Sequence, residues 1–155
     1  MTARRTRLLG AAALLVLGMP LLIDALVLTD EEAIQEQLDA LEEAIEAQDL
    51  DAILACFAPD YESSARLIPS RGVDQLRRSG QRWLDRLDEV RIAVERQGIA
   101  VEGPAATVTI ETVFLVRGPE GRGPWQVDVL LEMQDRAGVW RITRVVELRL
   151  RAGAF

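Results

Sequence analysis

The chain has 155 residues and a net charge of −7, and it contains no His and no Lys, so all 18 of its basic residues are Arg. The missing His removes Ser-His and Cys-His nucleophile pairs, His-ligated zinc and imidazole acid/base chemistry, and the missing Lys removes Schiff-base catalysis and Lys-dependent phosphate loops. The single Cys56 excludes an internal disulfide and a thiolate cluster, and its ILACF setting reads as a small buried hydrophobe, so neither a metal nor a cofactor is expected.

This length suits one domain with an appendage. Residues 30–62 carry twelve acidic groups and no basic one, whereas residues 63–155 carry twelve acids and fifteen arginines. An acidic total argues against nucleic acid as a partner, because a nucleic-acid footprint is basic. The split implies that acidic helices and Arg-rich parts face each other or different partners.

Residues 1–28 form the first unit, MTARRTR followed by an apolar run over residues 8–28. As a helix that run spans about 30 Å, one hydrocarbon core, which predicts a single membrane-spanning anchor. Arg4, Arg5 and Arg7 then remain in the cytoplasm and the folded part lies outside the inner membrane. A cleaved signal peptide is the alternative, and both readings export the domain. Residues 29–155 form the second unit.

Thr29 and Glu32 make a capping box, and Ile34, Leu38, Leu41 and Ile45 follow as one apolar stripe, with Glu36, Asp39, Glu42, Glu43 and Glu46 on a solvated face. Gln48-Asp49-Leu50 breaks this helix, and Asp49 or Asp51 caps a second, short one running through Ile53, Leu54 and Phe57. Pro59 ends it. Asp60, Tyr61 and Glu62 are thereby expected at the mouth of whatever the helices cover, with residues 62–70 as a connector. A third helix over Arg71 to Leu87 turns Val73, Leu76, Trp83, Leu84 and Leu87 inward. Its Arg78, Arg82 and Arg86 form a basic stripe suited to acidic neighbours or to anionic lipid headgroups.

From Asp88 the period becomes two. Val90, Ile92 and Val94 alternate with polar residues, Gln97-Gly98 reads as a turn, and Val101 resumes before Gly103-Pro104. Thr107 to Val116 is a strand with Val108, Ile110, Thr112, Phe114 and Val116 on one face. Residues 118–124 read as a flexible hairpin loop. Trp125, Val127, Val129, Leu131 and Met133 line the next strand, and Trp140, Ile142, Arg144, Val146 and Leu148 the last. This alternation predicts an antiparallel sheet with one packed face. Strict alternation puts Arg144 on the apolar face, where it must pair or meet a ligand anion, unless a bulge turns it out to solvent. On the opposite face Val113, Leu115, Leu130 and Val145 sit among polar residues and suggest a homodimer contact or docking into a larger membrane complex.

The order of two helices, a third helix and a run of strands resembles the nuclear transport factor 2-like superfamily, also described as SnoaL-like or cystatin-like α+β cones. The stretches that carry the resemblance are AIEAQDLDAILACFAPDY (residues 44–61), SRGVDQLRR (70–78) and GVWRITRVVEL (138–148). It implies helices packed on a curved antiparallel sheet with a pocket between them, frequently in a dimer. For that pocket Tyr61, Trp83, Thr112 and Arg144 are the candidate lining residues, with Asp60 and Glu62 as polar partners at its mouth. The catalytic positions of ketosteroid isomerases of this fold fall on Leu41, near Ala65 and near Leu130, all apolar, and the His-dependent dehydratases are excluded. The expected function is therefore an exported, membrane-anchored, non-catalytic domain or scaffold that binds a protein partner or a small apolar ligand. The alternative is a small-molecule isomerase, dehydratase or cyclase of the SnoaL-like type.

Overall fold

A computed structural model describes residues 29–65, 70–118 and 121–152. The predicted membrane anchor lies outside the described residues, and among those that are described no helix is long and apolar enough to cross a membrane.

Helix α1 spans Asp30–Glu46. Its capping box is complete: the Glu32 amide donates to Thr29 Oγ1 at 3.3 Å and the Thr29 amide donates to Glu32 Oε2 at 2.9 Å. These bonds hold the exposed Glu32 carboxyl below the usual carboxylate range. The helix stops in a paired-carbonyl arrangement, in which the Gln48 amide donates to Ile45 O at 3.0 Å and the Asp49 amide to Ala44 O at 2.9 Å. Closing that motif puts Gln48 at φ 57°, a left-handed conformation that favours glycine. Asp49 then caps α2 (Leu50–Ala55) by accepting from the Ala52 amide at 3.1 Å.

The chain next enters strand β1 (Phe57–Ser63), where a helix end and connector were expected, and β2 (Ser70–Arg71) pairs antiparallel with it. Pro59 is compatible because β1 pairs irregularly between Phe57 and Glu62. Gly72, at φ 77°, turns β2 into α3 (Val73–Leu84), shorter at both ends than predicted. Strands β3 (Glu89–Glu102), β4 (Ala105–Gly118), β5 (Gly121–Asp135) and β6 (Trp140–Ala152) form an antiparallel meander. Two predicted breaks in it are absent: Gln97 and Gly98 lie within β3, paired with Ile110 and Thr109, and the ladder continues through Leu115↔Pro124 to Gly118↔Gly121, so the expected hairpin loop is mostly strand.

The sheet order is β2-β1-β6-β5-β4-β3. Because β1 runs parallel to β6, the sheet is mixed and not antiparallel throughout. Three residues without a partner bend it: Glu95 on β3, and Thr143 and Val146 on β6. The helices lie on the concave side. There Ile34 and Leu38 of α1 join Tyr61, Ala106, Val108, Leu131, Met133, Trp140, Ile142 and Val145 in the core. Replacing Gln48 by Gly relieves the left-handed strain and is expected to raise unfolding stability by about 1 kcal/mol, measurable by denaturant titration.

Candidate functional site

The concave face has a packed end and an open end. Cross-strand register sets Val94, Thr112, Val127 and Leu150 in one row and Ile92, Phe114 and Trp125 in the next, toward the β4–β5 hairpin. Thr112 and Val127 are buried, but Val94 and Trp125 are 43% exposed and Leu150 46% exposed. Large apolar side chains on the inner face of a cone stay this open only where nothing covers them. The Asp88 amide donates to Arg117 O at 2.9 Å, which brings the chain leaving α3 back to the same hairpin end. Among the described residues, the regular inward positions of β3 to β6 carry one carboxylate, Asp135, which lies opposite Trp140 at the packed end and accepts from the Gly138 amide at 2.7 Å. Nearer the mouth, Thr112 Oγ1 donates to Ala93 O at 3.0 Å, and the Gln97 amide group donates to Gln35 Oε1 of α1.

Carboxylates approach this mouth from α1 as well as from Asp88 and Glu89 at the start of β3. Gln35, Glu42 and Glu46 are spaced seven and four residues apart, so they share the helix flank that turns toward β3. Glu46 Oε1 accepts from the Ile92 amide at 2.7 Å, and Glu46 Oε2 lies 3.5 Å from Arg91. Glu42, one turn earlier and half-buried, thus falls beside the Val94 stretch of β3. Burial, and then the charges of Glu46, Asp39 and Glu43, push its pKa up from the ordinary carboxylate range. The sequence reading placed Glu42 and Glu46 on a solvated face; helical periodicity alone could not show that β3 comes up against that flank.

Of the expected pocket residues, the structure brings only Thr112 to this mouth. Tyr61 is 1% exposed, its ring 4.8 Å from that of Phe57 in an edge-to-face arrangement, so it is core and not a mouth residue. Burial raises its phenol pKa, opposed by hydrogen bonds with Ser63 and Ser70. Trp83 is 43% exposed and Leu84 takes the inward position on α3. Arg144 is on the convex face: the extra residue Thr143 shifts the alternation by one, and the guanidinium lies 3.6 Å from Glu132. Asp60 pairs with Arg136 at 3.0 Å, and Glu62 is the β1 neighbour of Arg144 in the ladder. The same bulge turns Val145 inward to 8% exposure, removing it from the convex apolar set, where Val113 and Leu130 are half-buried and Leu115 is 50% exposed. Burial raises the Cys56 thiol pKa, as fits an inert core thiol.

Two further depressions lie at the rim. One of about 480 Å³ is lined by Glu43, Glu46, Asp88 and Glu89 with Arg91, and one of about 110 Å³ by Glu102, Thr107, Glu132 and Gln134 among others. Neither is lined by Tyr61, Trp83, Thr112 or Arg144. Among the described residues no group of three or more acidic or thiol side chains is placed to hold a metal ion.

Helices inside a bent six-stranded mixed sheet, open at one end, are the geometry of an α+β cone, and the SnoaL-like domain model matches residues 27–146. The chain belongs to the SnoaL-like domain family. No curated protein matches it. Among solved structures, this SnoaL-like domain is similar to a protein from Novosphingobium aromaticivorans provisionally named an aromatic ring hydroxylase, at 20% identity over 80% of this chain and 93% of the other, with a TM-score of 0.70. It is similar to a second protein of that organism, provisionally named a scytalone dehydratase, at 17% identity over 79% and 84% of the two chains, TM-score 0.70. The hexachlorocyclohexane dehydrochlorinase LinA-type3 of Novosphingobium barchaimii matches at 14% identity over 78% and 86%, TM-score 0.69. At these identities the likeness is one of fold.

Two substitutions check this geometry. A folded-state pKa raised above the unfolded value gives Glu42 a favourable contribution below the unfolded pKa that is lost as pH rises through the folded one. Glu42→Gln is therefore expected to match the parent at pH 4 and to exceed it by about 0.5 kcal/mol at pH 7, read by thermal unfolding at both pH values. Arg144→Gln, removing an exposed ion pair, is expected to change stability by less than about 0.5 kcal/mol; a loss of several kcal/mol would mean a buried charge pair instead.

Proposed function

We propose that this SnoaL-like domain handles a small apolar molecule, held against the open end of the concave face by Val94, Phe114, Trp125 and Leu150. The observation that carries the reading is the half-exposure of Val94, Trp125 and Leu150 around the buried Thr112 and Val127. Such a surface gains most by covering itself with another apolar surface, and its concavity suits a compact molecule better than a flat protein partner. Names given to fold neighbours, a scytalone dehydratase and a hexachlorocyclohexane dehydrochlorinase, support small-molecule chemistry over a protein scaffold.

Those names also favour an isomerase, dehydratase or cyclase over a pure binder. A reaction here runs without His, and the inward carboxylate of the described strands, Asp135, stands at the packed end away from the mouth, so Glu42 is our choice for the acid/base group. It stands on the α1 flank beside the mouth and keeps its proton to higher pH than an ordinary Glu. Export by residues 1–28 remains part of the proposal, and an exported domain would meet its apolar molecule at the membrane.

Titration with the apolar probe 1-anilinonaphthalene-8-sulfonate tests the site. The parent is expected to bind it at the mouth, and Trp125→Ala to weaken binding about tenfold, the loss of roughly 1.5 kcal/mol of aromatic contact. Equal binding by the two proteins would place the site elsewhere. In a turnover screen with ketone, alcohol and halide substrates of that size, Glu42→Gln is expected to abolish conversion while leaving probe binding intact.

A further inference from the structure

Strand β3 ends the sheet, and its free edge is managed in only one half. Near its start, the Ile92 amide points away from β4 and is taken by Glu46 Oε1, and Glu95 bulges out of the ladder two residues after Ala93. Such covers and bulges are how native sheets blunt an edge. Past the bulge the strand is regular from Gln97 to Val101. Ile92 pairs with Phe114, and the residues opposite Val94, Gln97, Ile99 and Val101 are Thr112, Ile110, Val108 and Ala106, in steps of two along β4. Gln97, Ile99 and Val101 therefore share the phase of Ile92, with amides and carbonyls directed off the edge. Among the described residues no side chain takes these groups as Glu46 takes that of Ile92. Helix α1 lies along the concave face beside β3, from Glu46 at Ile92 to Gln35 at Gln97, and at the second end it bonds the inward Gln97 side chain and not the outward amides of the strand.

We infer that a second copy of this chain pairs here, β3 against β3, antiparallel about a two-fold axis at Ile99. That register sets Gln97 opposite the partner's Val101, Ile99 opposite the partner's Ile99 and Val101 opposite the partner's Gln97. All three pairs are hydrogen-bonding ones, giving about six backbone bonds. On the convex side it sets Gly98 opposite Ala100, so nothing bulky blocks the approach; Gly98 is itself held free of a side chain because a Cβ there would lie 2.8 Å from Thr109 Oγ1. Beyond them Arg96 falls opposite the partner's Glu102 on both sides of the axis. Arg96 already bonds Glu111 at 2.8 Å and is 75% exposed at its side chain, so one guanidinium bridges two carboxylates. No register displaced by two residues sets Arg96 opposite Glu102. Charge thus selects the same alignment that the backbone pattern allows.

Sedimentation equilibrium of the full 155-residue chain over a concentration series tests the pairing. The parent is expected to populate a dimer. Glu102→Arg, which sets two arginines against each other, is expected to weaken it at least tenfold, and the double change Arg96→Glu with Glu102→Arg to restore it. Amide exchange of Gln97, Ile99 and Val101 is expected to slow with concentration. A monomer throughout, or a dimer that Glu102→Arg leaves untouched and Leu115→Arg on the convex face dissolves, would overturn the inference.

Discussion

Everything in this fold depends on bending the sheet. A 17-residue helix with a single apolar stripe cannot bury it against a flat sheet without leaving strand ends uncovered, so the strands must curl around it. The curl is produced where one strand carries a residue its neighbour does not match: Glu95 on β3 and the pair Thr143 and Val146 on β6. Each costs part of a ladder and gives a local twist in return. Between the two bulges of β6 the inward and outward faces exchange, and beyond the second they return to phase, so Leu148 and Leu150 point inward again.

The curvature also divides the concave face. Toward the β4 start and β5 end, α1 supplies Ile34 and Leu38, and the strands close over them with Val108, Met133 and Ile142, all almost fully buried. Toward the β4–β5 hairpin the rest of the α1 stripe, Leu41 and Ile45, is only partly buried, and three large apolar residues of the strands stay half in water. Acidic groups reach that end from two sides: Asp88 and Glu89 where the chain enters β3, with Glu89 paired to Arg117, and the α1 flank facing β3. There Glu46 is used up in tying the helix to the strand, whereas Glu42 is desolvated and repelled by its own neighbours. A carboxyl in that state is reluctant to ionise, which is a property of a proton donor more than of a structural anchor.

Much of this was legible in the chain itself. The capping box of α1, its stripe, the three helices and the four long strands follow from local pattern, and the resemblance to α+β cones followed from their order. What the pattern could not supply was phase and partnership. A bulge leaves no mark in a run such as Trp-Arg-Ile-Thr-Arg-Val-Val, so Arg144 and Val145 were assigned to each other's faces. Residues 57–63, FAPDYES, contain a proline and two acids and do not read as a strand; they become one because β6 offers an edge, a fact located more than eighty residues away. Tyr61 followed the same error, since a residue after a helix end is exposed and one in a paired strand need not be. The site was the least legible part, because openness is a property of what fails to arrive and no single residue encodes it.

The parallel pairing of β1 with β6 has a bearing on how the chain comes together. Phe57 must wait for Ile142, and Ser63 for Val145. The loop that separates them is closed only after nearly the whole domain exists, and the entropy of closing it is lost before any of its contacts form. Until then Tyr61, Ala58 and Phe57 lack their ceiling, and the edge of β6 that β1 will cover lies bare. The meander β3 to β6, whose pairings are all between sequence neighbours, can assemble first. Strand β1 can pair only once β6 is in place, so the N-terminal part of the domain depends on its most distant strand for its cover.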